Sequence, residues 1–348
     1  MLPQSQLGFG YQLNHKKIQR FENLPIPTPK SNEVLLKVEA CGLCLSDPHL
    51  LQAGPMPTPN PLDKFVMGHE IAGSIAQVGE NFKNHPLYKI GGRFALTIAI
   101  ACGNCYNCRT GNDGQCTTSI QAYGLNEDGG YQQYLLIRNL RTLLPIPENV
   151  SYEVAAVTTD SVLTPFHAIQ KVKNYIQPTT NVLVIGCGGL GLNGVQILKN
   201  YGCYIVATDM KEQVRQTALE YGANEFYTDL SESEYEPQHF DIIFDFVGLQ
   251  KTLDLSNYFV KKGGKIVMVG LGNSKLLIPN FLFAVREIEI IFNFGGNSSE
   301  QIECMKWVSK GLIKPNVNLV DFEKVPEMLD ALKSGKLVGR TVFRPNKL

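Results

Sequence analysis

The chain has 348 residues, with 32 basic and 32 acidic side chains and a formal net charge of zero. That length exceeds one ordinary core and predicts two domains. The balanced charge excludes the electrostatic footprint of a nucleic-acid or membrane-surface binder and leaves a small molecule as the expected partner. The opening residues, MLPQSQLGFGYQLNHKK, show no basic segment followed by an apolar run and cleavage site, and no apolar stretch is long enough to span a bilayer, so a cytoplasmic protein is expected.

In chain order, residues 33–40 (EVLLKVEA) and 71–79 (IAGSIAQVG) read as short strands with partial alternation, set among proline- and glycine-rich loops. They predict an irregular, mostly β front half. Within it, CGLCLSDPH at 41–49 and GHE at 68–70 offer cysteine, histidine and glutamate, all of which ligate zinc. Taken singly, Cys44 could equally be a core thiol and His69 a satisfied loop histidine. The stretch CGNCYNCRTGNDGQC, 102–116, is more specific: Cys102, Cys105, Cys108 and Cys116 share one glycine- and asparagine-rich loop. In a reducing compartment such a cluster points to metal and not to disulfides. Four thiolates can meet one zinc ion at about 2.3 Å and leave no open position, so the expected role is to brace the lobe. A nucleic-acid zinc ribbon would bring basic surface, and this loop holds only Arg109.

From residue 181 the rhythm changes. NVLVIG, CYIVATD, DIIFDFVG, GKIVMVG and IEIIFNF are short runs rich in valine and isoleucine, as buried parallel strands are. Segments such as KEQVRQTALEYGA (211–223) between them have helical periodicity, which makes the back half a doubly wound α/β domain. Gly186, Gly188 and Gly191 stand as G-x-G-x-x-G directly after the first of these strands, and Asp209 follows the last glycine by eighteen residues at the end of the next strand. Strand, turn, helix and acid together form the dinucleotide context. A carboxylate at 209 accepts from the adenosine ribose and repels a 2′-phosphate, favouring NAD over NADP, although Lys211 and Arg215 lie close by. The tail predicts a helix at 300–312, a second at 325–335 and a strand at 340–345 that packs back on the first lobe.

With these motifs in place, the chain resembles the zinc-dependent medium-chain alcohol dehydrogenases over essentially its full length. It is especially similar to the fungal secondary-alcohol dehydrogenases and carbonyl reductases among them. The resemblance implies a GroES-like catalytic domain over 1–161, a Rossmann NAD-binding domain over 162–293 and a return to the catalytic domain over 294–348, with Phe294, Gly295 and Gly296 at the exit. It implies a catalytic zinc held by Cys44, His69 and Asp160, with Glu70 able to enter the coordination sphere during exchange and Cys41 a nearby thiol that is not a ligand. Asp160, in TTDSVLTPFHA, replaces the cysteine of many relatives and is the variant of the secondary-alcohol branch; a harder oxygen ligand leaves the zinc more Lewis-acidic. Asp47 is expected to accept from the free imidazole nitrogen of His69.

The family's mechanism would have zinc acidify the substrate hydroxyl while hydride passes to the nicotinamide. The proton would leave through Ser46, the cofactor ribose and His49. Thr164 and Leu190 would pack on the nicotinamide, Gly189 and Val269 would complete the cofactor contacts, and Arg340 would bind the pyrophosphate. Leu45 stands where relatives carry a basic residue, so one cofactor-phosphate contact is expected to be missing. Ile98 stands where relatives often place a bulky aromatic, leaving room for a branched substrate. The expected inventory is two zinc ions per chain, NAD(H), an alcohol or ketone substrate and a homodimer or homotetramer. The rival readings are a zinc-free quinone or enoyl reductase of the same fold and a non-enzymatic NAD- or zinc-binding module.

Overall fold

A computed structural model describes residues 2–346. The chain divides into two compact units. The first takes the residues up to Asp160, Asn297–Ser309 and those from Pro315 onward; the second takes Ser161–Gly296 and Lys310–Lys314.

The first unit is built on a seven-stranded sheet. Its order is Val317–Asp321, Arg340–Arg344, Val34–Gly42, Glu70–Val78, Arg93–Leu96 and Leu143–Pro145, with Tyr134–Ile137 also pairing on Val34–Gly42. The partial alternation of EVLLKVEA suggests a half-solvated strand, yet seven of the nine residues of Val34–Gly42 are buried, because it is central and flanked on several sides. Register shifts between Leu35 and Leu36 and between Val38 and Ala40 mark bulges, and beyond them Cys41 and Gly42 pair with Ile71 and Glu70. Bulges commonly re-aim side chains beside functional sites. From the tail, Phe343 pairs antiparallel with Cys41 and Val342 with Gly42, which brings Arg340 to the same end of the sheet. A smaller sheet, Gln19–Pro25, Ser5–Gln12 and Lys64–Val66, was not legible as strands in the sequence. Phe9, Phe65, Phe94, Tyr131 and Phe343 fill the core, each fully buried apolar side chain contributing roughly 1.5–3 kcal/mol.

The second unit is a six-stranded sheet ordered Glu225–Tyr227, Tyr204–Thr208, Asn181–Ile185, Phe240–Asp245, Val260–Met268 and Glu289–Phe292, parallel throughout. The order reverses between Asn181–Ile185 and Phe240–Asp245, which makes that crevice the expected ligand position in a doubly wound sheet. Val182, Leu183, Val184, Ile205, Val206 and Ala207 are wholly buried, as the continuous apolar runs require. The helix expected over 211–223 is a 3₁₀ turn, Glu212–Val214, followed by Arg215–Tyr221 and ended by Gly222 in the left-handed region at φ +118°. Among the described residues no helix is long and apolar enough to cross a membrane.

Candidate zinc and nucleotide sites

The four-cysteine loop closes on itself. Cys102 Sγ lies 3.9 Å from Cys108 Sγ, Cys105 Sγ lies 3.9 Å from Cys116 Sγ, and all four sulfurs are within 4.8 Å of one another. A tetrahedral zinc with bonds of about 2.3 Å needs sulfur-sulfur edges of about 3.8 Å, whereas a disulfide needs about 2.05 Å. Backbone N–H groups of Asn104 and Cys105 donate to Cys102 Sγ, each at 3.3 Å, while Cys102 N and Ser119 N donate to Cys116 Sγ at 3.4 and 3.3 Å. Such donors favour thiolates. The N–H groups of Cys108 and Thr117 lower the Cys105 thiol to about 5, while burial pushes Cys108 up to about 12. These sulfurs fit a structural zinc. The loop is also tied down: Asp113 accepts from Ser298 N at 2.9 Å and Ser298 Oγ at 2.5 Å, at the start of the helix Ser298–Ser309.

A second cluster gathers Cys44, His69 and Asp160, again with ligand atoms within 4.8 Å. Cys44 Sγ is 3.2 Å from Asp160 Oδ2, and His69 Nε2 is 3.7 Å from the same oxygen. Each arrives by a different device. Cys44 lies just past the strand Val34–Gly42, before the helix Ser46–Ala53. His69 follows Gly68, which is left-handed at φ +90° and so close to Tyr131 and Cys41 that a Cβ there would come within 2.6 Å of the Tyr131 ring and 2.8 Å of Cys41 Sγ. Asp160 sits in a π-helical turn, Thr158–Val162, a local widening frequent at functional sites and not signalled by the sequence pattern. Cys41 is buried, packs its sulfur against Gly68 and Gly130, and lies outside the cluster.

The outer residues orient the cluster. His69 Nδ1 faces Asp47 Oδ1 at 3.4 Å, and both atoms are buried with no other hydrogen-bond partner among the described residues. A proton on Nδ1 satisfies both and leaves the Nε2 lone pair for a cation. Burial alone would lower the His69 pKa, but Asp47 and Asp160 raise it well above its ordinary value: the pocket is electrostatically prepared for positive charge. Asp47 is held in turn, its Oδ2 accepting from Cys44 N at 3.0 Å and from the Tyr131 hydroxyl at 2.8 Å. Nothing in the sequence marks Tyr131, one of two tyrosines in GGYQQY, for this role.

Glu70 is wholly buried and lies outside the three-atom cluster. It is turned onto Arg340, whose Nε lies 3.0 Å from both carboxylate oxygens and whose Nη2 pairs with Oε1 as well. Burial pushes the Glu70 carboxyl up to about 7 against the pull of Arg340. Nη2 of Arg340 also reaches Asp160 Oδ2 at 3.1 Å. The arginine expected at the pyrophosphate is thus engaged beneath the ligand cluster. Gly42 makes this possible, since a Cβ there would lie 1.9 Å from Glu70 Oε2.

Ser46 Oγ is 3.6 Å from Cys44 Sγ, and His49 follows one turn later on the same helix; both are exposed. Leu45 is exposed as well. Ile98 is half-buried, its carbonyl accepting from Tyr123 N at 3.0 Å.

In the second unit, Gly186 is left-handed at φ +89°, and a Cβ at Gly191 would lie 1.8 Å from Gly186 O, so strand and helix can meet only at glycine. A Cβ at Gly188 would meet nothing within 4 Å, which leaves that backbone open to a ligand at the N-terminus of the helix Gly191–Lys199. Asp209 caps the loop, accepting from Cys187 N at 2.8 Å and Lys211 N at 2.9 Å. Gly189 and Leu190 lie in the same turn, half-buried. Thr164 and Val269 are buried; Thr164 O accepts from Asn293 Nδ2 at 3.1 Å. The open glycine backbone and the acid beside it fit a dinucleotide.

Residues 30–148 match the family model of the alcohol dehydrogenase GroES-like domain, and residues 189–310 that of the zinc-binding dehydrogenase domain. A NAD-dependent alcohol dehydrogenase of Sulfurisphaera tokodaii is 32% identical over 341 residues, spanning 94% of this chain and 96% of its own length. Sorbitol dehydrogenase of Bacillus subtilis is 29% identical over 329 residues, 90% of this chain and 89% of its own. The solved acetophenone reductase of Geotrichum candidum, in complex with NAD, superposes with a TM-score of 0.91 at 36% identity, covering 99% of this chain and 98% of that one. Identity of this degree, sustained from end to end of both chains, accompanies the same two domain types in the same order, and the chain therefore belongs to the zinc-dependent medium-chain alcohol dehydrogenase family.

Proposed function

We propose that this chain is an NAD-dependent alcohol dehydrogenase and carbonyl reductase that moves hydride reversibly between NAD(H) and secondary alcohols or ketones, with aldehydes as further substrates. The observation that carries the reading is the mixed cluster of Cys44, His69 and Asp160: three protein donors leave a fourth tetrahedral position open, which the four-thiolate loop does not. A zinc ion held there supplies Lewis acidity toward an alcohol or carbonyl oxygen, and NAD(H) takes or returns the hydride.

The chain's own residues do the rest. Asp47 keeps the proton on His69 Nδ1 and fixes the ring, with Tyr131 and the Cys44 N–H fixing Asp47. Arg340 offsets the negative charge of Asp160 and Glu70. Ser46, beside the ligand sulfur, takes the substrate proton, and His49, exposed one turn on, delivers it to water. Asp209 selects NAD through the adenosine ribose. Ile98 and Asp160 favour branched carbonyls, and the named substrate of the acetophenone reductase supports an aryl ketone class. The four-thiolate loop needs reduced sulfurs, which supports a cytoplasmic location.

The test is loss of NADH absorbance with acetophenone, acetone and acetaldehyde, with and without a chelator. Chelation should abolish turnover; chelator-resistant turnover would favour the zinc-free reductases. A preference for ethanol over 2-propanol and 1-phenylethanol would remove the secondary-alcohol assignment.

We infer in addition a homo-oligomer. Strand Glu289–Phe292 ends the parallel sheet, and Phe292 on it and Leu277 and Phe281 in the segment that precedes it are exposed. An open edge with apolar side chains suits a second copy of the same strand. Sedimentation should show a dimer or larger, and the paired change Leu277→Glu and Phe281→Glu should reduce the mass.

A further inference from the structure

Asp245 lies on the strand Phe240–Asp245 and pairs with Ile185 across the point where the strand order reverses. Its side chain is wholly buried, and among the described residues only Thr252 and the N–H groups of Val247 and Gly248 act on its carboxyl, with no cation among them. A buried carboxylate without a counter-charge is costly unless its lone pairs are used. Here they are: Oδ1 accepts from Val247 N at 2.8 Å and Gly248 N at 2.9 Å, and Oδ2 accepts from Thr252 Oγ1 at 2.6 Å. Its main-chain carbonyl takes Val269 N at 2.8 Å and Gly270 N at 3.0 Å. One residue thus holds the two loops that leave neighbouring strands at the ligand-binding end of the sheet.

The loop after Asp245 in turn supports the dinucleotide turn. A Cβ at Gly186 would come within 2.7 Å of Val247 Cγ2, and a Cβ at Gly194 within 2.9 Å of the Phe246 ring. Gly248 is left-handed at φ +73°, and its Cβ would lie 2.0 Å from Gly270 O, so the two loops touch backbone to backbone. Val247 thus packs directly against the backbone of Gly186, two residues before the open backbone at Gly188.

We propose that Asp245 is a positioning residue for the cofactor: by fixing residues 246–249 it fixes the glycine turn and so sets nucleotide affinity, without touching the zinc ligands. The proposal rests on the NAD reading above. Asp245→Ala leaves two N–H groups unpaired, that of Gly248 buried and that of Val247 half-buried. Asp245→Asn keeps an acceptor for both and alters only the bond to Thr252, whose hydroxyl can accept.

The experiment is NADH fluorescence titration of the zinc-loaded enzyme, with zinc content and kcat at saturating NADH measured alongside. Asp245→Ala should weaken NADH binding about tenfold or more, leave kcat within about threefold and retain both zinc ions; Asp245→Asn should restore most of the affinity. Thr252→Val should weaken binding about two- to fivefold, and it serves as the deciding variant should Asp245→Ala not fold. Unchanged NADH affinity in folded Asp245→Ala, or in Thr252→Val, overturns the proposal; so does a loss of kcat that matches the loss of affinity. An unmodified chain that does not bind NADH would overturn the NAD reading itself, an outcome distinct from unmodified and variant chains binding equally well.

Discussion

Cys102, Cys105, Cys108 and Cys116 come from one fifteen-residue loop, while Cys44 and Asp160 stand 116 residues apart, with His69 supplied by a third element. The local cluster is all sulfur, bonded by its own backbone N–H groups, and complete at four donors. The dispersed cluster mixes sulfur, nitrogen and oxygen, stops at three donors, and depends on Asp47, Tyr131, Glu70 and Arg340 for its orientation and charge balance. The contrast shows what a site that must exchange a ligand requires. A closed site can be written into a short loop, whereas an open one has to be held from outside by the fold.

The strongest way to break this contrast is to remove a ligand from the open cluster. Asp160→Ala should lower kcat/KM by more than the 10–100-fold typical of outer residues, roughly 1,000-fold, while metal analysis still finds one zinc per chain. Loss of both ions would mean that the clusters are not independent. Next in size is the outer support. Asp47→Asn should weaken the catalytic zinc about 10–100-fold in chelator competition, and Tyr131→Phe, which removes one hydrogen bond to Asp47, should weaken it severalfold in the same direction. Neither change should alter the second ion.

Ile98→Trp should leave metal content alone and act on the substrate. The ratio of kcat/KM for 1-phenylethanol over ethanol should fall by the equivalent of about 1–3 kcal/mol. An unchanged ranking would remove Ile98 from the pocket. The smallest effect is expected away from both clusters, at Glu153. Burial raises its pKa, but its backbone hydrogen bond and Arg344, whose Nε lies 2.6 Å away, bring it below the ordinary value. A carboxyl depressed in the folded state adds stability above its unfolded pKa and loses it as pH falls through the folded one. Glu153→Gln should therefore lower Tm slightly at pH 7, by the equivalent of about 0–1 kcal/mol because the Arg344 side chain is partly solvent-exposed, with the deficit shrinking as pH falls below the ordinary glutamate range and vanishing once the folded carboxyl is protonated.

What could be read from the sequence follows the same division. The four-cysteine loop and the glycine turn are compact in sequence, so spacing alone exposes them, and the apolar runs at 181–186, 203–209 and 241–248 mark their strands because both faces are buried. The three-residue strand Glu225–Tyr227 is too short to show a period. Cys44, His69 and Asp160 became a set only through family resemblance, since nothing local joins them. Tyr131, Gly42 and Asp245 act through long-range packing: Tyr131 reaches an aspartate 84 positions away, and Gly42 matters only because Glu70 folds across it. The engagement of Arg340 with Asp160 likewise depends on a strand pairing that brings residue 342 beside residue 42.

The different lability of the two clusters can be measured in a time course of chelation with 1,10-phenanthroline, following activity and bound zinc together. Two zinc ions per chain are expected at the start, with complete loss of activity as the first ion leaves and a second ion that remains on a still-folded chain. A fully active enzyme with one zinc per chain, or two ions that leave at the same rate, would contradict this expectation.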